Sequence, residues 1–103
     1  MAGLGKEYKA GEVVFRQGDK GNCMFVIQDG EVEAVVDSDG KELRLRTMGP
    51  NEFFGEMALL TGEKRTATVR ASGSHLEVVE IDESSLRALL EHLLPMAQGG
   101  RGD

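Results

Sequence analysis

The sequence predicts a mainly β protein with short helices, an antiparallel β-roll of the jelly-roll-like barrel kind, and three observations predict it. Gly18, Gly30, Gly40, Gly55 and Gly62 punctuate apolar segments at spacings of roughly ten residues, the rhythm of short strands joined by tight turns. The pairs Asp29-Gly30 and Asp39-Gly40 are hairpin signals, because glycine accepts the positive φ that right-twisted hairpin turns require. After Ile81 the apolar period changes from that of a strand to that of a helix.

In chain order, Val13–Phe15 and the segments 24–28, 32–36 and 43–47 read as strands flanking the two Asp-Gly pairs. Alternation is clearest in the last two, with Val32, Ala34 and Val36 on one face, and Leu43 and Leu45 set against Arg44 and Arg46. Segments 66–71 and 76–81 complete a set of about six or more strands, which favours a roll or sandwich. Asp82 is placed as the N-cap of a helix. Ile81 and Leu86 stand at its staple positions, and Leu86, Leu89, Leu90 and Leu93 recur at helical spacing, so 82–94 is expected to be an amphipathic helix laid on the roll. The leucine stripe reads as core, with a partner-binding face as the alternative. Pro95 is expected to stop the helix and leave 98–103, with three glycines, as a loose tail. The expectation is a single domain over 1–98, its roll over about 10–81, with 99–103 flexible.

Composition excludes several classes. With 40% hydrophobic and 29% charged residues the chain is too apolar for disorder, and its 103 residues hold one modest core. A net charge of -6 without a Lys/Arg cluster lacks the field that draws proteins onto nucleic acid. A small anion can still be held locally, since charges beyond about 8 to 10 Å are screened. Cys23 alone cannot close an internal disulfide and no charged-then-apolar leader opens the sequence, so a cytoplasmic location is expected. No apolar run reaches the roughly 18 residues of a membrane span. His75 and His92 are too few and too separated for the usual metal cluster, so no metal is expected. No plausible Ser-His-Asp order or evident carboxylate pair points to an enzyme. Cys23 reads as a buried strand residue, and Arg101-Gly102-Asp103 as a flexible end.

The segment that carries chemistry is 54–69, FGEMALLTGEKRTATV. Gly55 permits close approach of a ligand to the backbone, and the residues after it, from Glu56 to Leu60, begin a short helix whose first N–H groups lack internal partners. Arg65 returns from the far side of the loop, and a planar five-donor guanidinium suits an anion with two oxygens. The pattern describes a loop built to hold an anion.

Phe54-Gly55-Glu56, Ala58-Leu59 and Arg65-Thr66-Ala67-Thr68 resemble the phosphate-binding cassette of the cyclic-nucleotide-binding domains, found in cyclic-nucleotide-regulated kinases, ion channels and bacterial regulators. Phe15-Arg16-Gln17-Gly18-Asp19, Phe25-Val26-Ile27, Gly30-Glu31-Val32 and Gly49-Pro50 stand in register with the same family, so the resemblance spans about residues 10–94. It implies a regulatory sensor binding cAMP by preference, or cGMP, as its ligand without other cofactor, and relaying occupancy to an effector outside this chain. It further implies that Glu56 accepts a hydrogen bond from the ribose 2'-hydroxyl and that Arg65 pairs with the exocyclic phosphate oxygens. The backbone N–H groups of Ala58 and Thr66 complete the phosphate shell, with Gly55, Met57 and Ala67 in the same loop. Ala34, Arg46 and Met48 are placed by register beside the base, although strand parity also allows Arg46 to be a solvated residue. A hydroxyl at Thr66 is the feature that reaches a syn guanine.

The sequence departs from the family where Asn51-Glu52 replaces a Gly-Asp, a mild change since Asn tolerates left-handed turns, and where no further capping helix is expected beyond Pro95. The competing reading is a ligand-free roll serving as an interaction or structural module. An enzyme ranks third, and a transcription factor last, since no helix-turn-helix is expected beyond Pro95.

Overall fold

The computed structural model describes residues 4–99. Its strands are β1 (Leu4–Lys9), β2 (Val13–Phe15), β3 (Cys23–Ser38), β4 (Lys41–Met48), β5 (Phe53–Phe54) and β6 (Thr68–Asp82), with helices α1 (Glu56–Thr61) and α2 (Glu83–Gly99). All pairings are antiparallel, along the path β1-β6-β3-β4, with β2 added to β6 and β5 to β3. The fold is the expected mainly β arrangement with short helices.

Asp39-Gly40 is the turn its sequence announces. Both residues take positive φ, 53° and 78°, and they join β3 to β4 with Ser38 opposite Lys41. Asp29-Gly30 is not a turn. It lies inside the unbroken β3, where the register against β6 shifts on either side of it. Gly30 has φ 90°, and a β-carbon there would run into the His75 carbonyl oxygen. The glycine therefore serves a bulge and a close backbone approach, the other use of positive φ in a strand.

The bulge has a consequence for packing. Before it Cys23, Phe25 and Ile27 face the core, and after it Val32 and Ala34 do, so the inward parity changes from odd to even. On β6 the change is matched, with Val69 and Ala71 inward on one side and Leu76 and Val78 on the other. An extra residue is what lets a long strand bend while keeping its apolar side inward. For the same reason the expected strands 66–71 and 76–81 are not two strands but, from Thr68 onward, the two limbs of β6. The largest fully buried side chains, Ile27, Val32, Leu76 and Val78, flank the bend on both strands.

Three expectations fail at the ends. β1 precedes the anticipated start of the roll near residue 10; it holds to β6 through pairs such as Lys6↔Val78 and Tyr8↔Leu76. Asp82 caps α2 as expected, its Oδ1 accepting the Ser85 N–H at 2.7 Å. Pro95, however, does not stop the helix, which continues to Gly99. A proline removes one backbone hydrogen bond, but its φ near −65° is itself helical. Nor is the leucine stripe core: Leu86 is half-buried, while Leu89 and Leu90 are 43% and 48% exposed. The side chain of Leu93 and residues 100–103 of the expected tail lie outside the described residues. Among the described residues no helix is long and apolar enough to cross a membrane.

Candidate functional site

The loop between β5 and β6 is anchored at its start by Phe54, buried with its ring 5.2 Å from that of Phe25 and 5.8 Å from that of Phe15. Gly55 turns the chain with φ 82° into α1, and Gly62, at φ 74°, turns it out again, donating its N–H to the Ala58 carbonyl at 3.0 Å. Two left-handed residues thus bound one short helix, which no side chain caps at its start. The first N–H groups of α1 consequently remain without intrahelical partners.

Arg65 is fixed at its main chain by the loop after β2. Its N–H donates to the Asp19 carbonyl at 2.7 Å, and its own carbonyl accepts the Gly18 N–H at 2.8 Å. Asp19 braces that loop by accepting the Arg16 N–H on Oδ2 at 3.0 Å. The Gln17-Gly18-Asp19 stretch, distant in sequence, thereby sets where Arg65 leaves the backbone.

The side chain then turns inward. Arg65 is only 7% exposed, the one charged residue that is buried among the described residues. Nη1 donates to the Gly55 carbonyl at 2.8 Å, Nη2 to the Cys23 carbonyl at 2.9 Å, and Cζ lies 4.0 Å from the centre of the Phe15 ring. Its Nε is buried without a partner. Among the described residues no carboxylate pairs with it. Nη2 also lies 3.7 Å from the Cys23 Sγ. A buried cation answered by carbonyl dipoles, a thiol and a ring face keeps its charge available for an incoming anion.

Arg65 lines a cavity of about 240 Å³, and all ten residues singled out in the sequence lie on its wall. Gly55, Glu56, Met57 and Ala58 come from the start of α1, and Arg65, Thr66 and Ala67 from the return to β6. Ala34 and Met48 come from β3 and β4, and Arg46 stands directly opposite Ala34 in the β3–β4 register. Arg46 is solvated, its side chain 61% exposed and 3.4 Å from Glu52 Oε1, and it also forms part of the cavity wall. Glu52 also accepts the Gly49 N–H at 2.8 Å, and Asn51 takes φ 73°. The Asn51-Glu52 departure therefore preserves the turn that delivers the chain from β4 to β5.

Sequence reasoning missed five wall residues: Phe15, Leu45, Phe53, Phe54 and Val69. Aromatic and aliphatic strand residues read as core, and only the 53% and 58% exposure of Phe53 and Leu45 marks them as a rim. Cys23 is buried as expected, and burial pushes its thiol above the ordinary range. Away from the cavity, Glu7, His75 and Glu77 bring ligand atoms within 4.8 Å of one another across β1 and β6. The sequence does not bring these three together, because Glu7 lies on a strand far along the chain from His75 and Glu77. Its members are exposed or half-exposed, and such acidic groups commonly share a strand face without an ion.

An antiparallel roll that directs one buried, uncompensated arginine and the start of a short helix into a common cavity defines an anion-capturing β-roll. The sequence profile of the Cyclic nucleotide-binding domain matches residues 5–92, and the chain belongs to that family. It is 40% identical over 88 residues to a cGMP-dependent protein kinase of Caenorhabditis briggsae, covering 84% of this chain and 12% of that protein. It is 33% identical over 87 residues to the type II regulatory subunit of cAMP-dependent protein kinase of Drosophila melanogaster, covering 84% and 23%. Among solved structures, the regulatory domain of Toxoplasma gondii PKA with cAMP superposes with a TM-score of 0.79 at 33% identity, over 84% of this chain and 33% of that one. The Catabolite Activator Protein of Thermus thermophilus gives 0.84 at 29% identity, over 97% and 47%. The chain spans about a quarter or less of the length of the curated relatives it matches.

Proposed function

We propose that this chain is the sensing unit of a regulatory protein, capturing a cyclic purine nucleotide in the Arg65 cavity and passing its occupancy to an effector. The observation that carries the reading is Arg65 itself, buried, paired with no carboxylate among the described residues and lining the same cavity as Glu56. In this reading the guanidinium holds the exocyclic phosphate oxygens, the N–H groups of Ala58 and Thr66 share them, and Glu56 accepts from the ribose 2'-hydroxyl. Charge-assisted hydrogen bonds of this kind contribute about 1.5 to 3 kcal/mol each. Ala34, Met48 and Arg46 flank the base. The ligand needs no further cofactor and is released unchanged, so the chain acts as a switch rather than an enzyme. A reducing cytoplasm suits its single buried thiol.

Occupancy becomes a signal only if the nucleotide binds one conformation better than another. The loop 55–65 is the element that bound phosphate would tighten, and α2, which follows β6 directly, is the element through which an effector would read it. A ligand-free scaffold has no use for a buried arginine without a counter-ion, which weighs against the interaction-module reading.

cAMP is the expected ligand, and one observation favours cGMP. Arg46 on the wall offers paired donors that match guanine O6 and N7, whereas adenine presents a donor beside N7. Titration calorimetry with both nucleotides, backed by melting curves, tests function and base together. A chain that gives no binding heat and no melting shift with either at millimolar concentration overturns the proposal.

A further inference from the structure

Gly21 carries no chemistry of its own, yet it stands closer to the Arg65 guanidinium than any side chain could. A β-carbon built on Gly21 would collide with Nε and Cζ of Arg65 and lie 2.7 Å from Nη2, and these are its three nearest atoms. Gly21 does not take a positive φ, so the backbone there accepts an alanine. What the glycine supplies is space, and a single side chain fills that space. Phe15 lies against the same group, with Cζ of Arg65 4.0 Å from its ring centre, and the carbonyls of Gly55 and Cys23 hold the two terminal nitrogens.

We infer that Gly21 is a positioning residue for the ligand arginine: its missing side chain, together with the Phe15 ring, forms the slot that seats the guanidinium against the cavity. The inference rests on the reading of Arg65 as the phosphate ligand. The three atoms that a methyl group would meet first all belong to the far end of a flexible side chain, so the roll can tolerate it if that side chain moves. Arg65 cannot keep its seat. It must leave the Cys23 carbonyl or swing across the cavity, and a displaced fork no longer matches two phosphate oxygens.

The test is Gly21→Ala in the full chain, with cAMP and cGMP as probes and the Arg65 Nε–H resonance as a readout of position that needs no ligand. Binding of the nucleotide preferred by the parent should weaken by about tenfold or more. The Nε–H signal should move while the backbone amide spectrum of the roll stays that of the parent. Should the variant fail to fold, Gly21→Ala/Arg65→Ala, in which the methyl has nothing to strike, should restore the parent's spectrum. Unchanged affinity, an unmoved Nε–H signal, or a double variant that stays unfolded each overturns the inference. Failure of the parent to bind either nucleotide would instead overturn the proposed function, so the two are separable.

Discussion

Two arginines five positions apart, Arg65 and Arg70, meet opposite fates. Arg70 is saturated by acids. Its Nε donates to Glu33 at 2.9 Å, and Nη1 and Nη2 donate to the two oxygens of Glu42 at 3.0 and 2.7 Å. That geometry raises the Arg70 pKa, first through Glu42, and holds the Glu42 carboxyl below its ordinary value. Arg65 is far more buried and is met by two carbonyls, the Cys23 sulfur and an aromatic ring. A guanidinium already forked by carboxylates ties a sheet together and offers nothing to a solute, while one seated on neutral dipoles remains able to take an anion. Identity of residue type says little here; the local partners decide between scaffold and site.

The largest effect expected from this contrast is on Arg65. Arg65→Ala should leave a folded roll and cost about 2 to 5 kcal/mol of nucleotide binding, the usual loss when a charge in a buried contact loses its partner. Calorimetry decides it, and affinity equal to that of the parent would remove Arg65 from the site. Next comes Glu56→Gln, which keeps the shape of the side chain but gives up the anionic acceptor. A loss of about 1.5 to 3 kcal/mol is expected. A 2'-deoxy cyclic nucleotide should discriminate little between the parent and this variant, so equal losses for the hydroxylated and deoxy ligands would show that Glu56 does not meet the ribose.

How much of this was legible in the sequence follows the same division between local and distant causes. The cavity loop could be read because its determinants are neighbours: Gly55, Glu56 and Ala58 in one helical turn, Arg65 to Ala67 on the return. Ala34, Met48 and Arg46 were named only through the resemblance to the family, since no local pattern ties these strand residues to the loop; the pairing of β3 with β4 sets Ala34 opposite Arg46. What escaped was set by contacts far along the chain. Gly30 reads as a hairpin glycine until the His75 carbonyl is seen where its side chain would be. β1 has a few apolar residues and no turn signal of its own, since its ladder partner lies some seventy positions away in β6. The leucine stripe of α2 is periodic enough to predict a helix, but periodicity cannot say whether anything covers it. Phe53 and Leu45, apolar and on strands, could be told from core only by their exposure.

Arg70 supplies the control. Arg70→Ala removes a guanidinium from β6, just after the loop that carries Arg65, and its carboxylate partners, on β3 and β4, do not line the cavity. Nucleotide affinity should stay within about twofold of the parent, the range of substitutions away from a site. A loss comparable to that of Arg65→Ala would mean that the Glu33-Arg70-Glu42 network and the cavity are coupled, and that the distinction between the two arginines is false.

The smallest effect expected is a dependence on pH confined to the saturated arginine. The Glu42 carboxyl is held below its ordinary value of 4.5, chiefly by the hydrogen bond from Arg70. A folded-state pKa beneath the unfolded one means that the stabilisation is fully present above the unfolded value and is lost as pH falls through the folded one. The parent should therefore melt slightly above Glu42→Gln at neutral pH, and the gap should narrow below about pH 4.5 and close as Glu42 takes up its proton. Arg65, seated on the carbonyls of Gly55 and Cys23, has among the described residues no carboxylate whose protonation could loosen it. Its Nε–H resonance should hold its position over the same range as long as the roll stays folded. A melting gap that persists undiminished at pH 3 would show that Glu42 holds Arg70 through shape rather than charge. The contrast between an arginine bound by acids and one kept for a ligand would then lose its electrostatic basis.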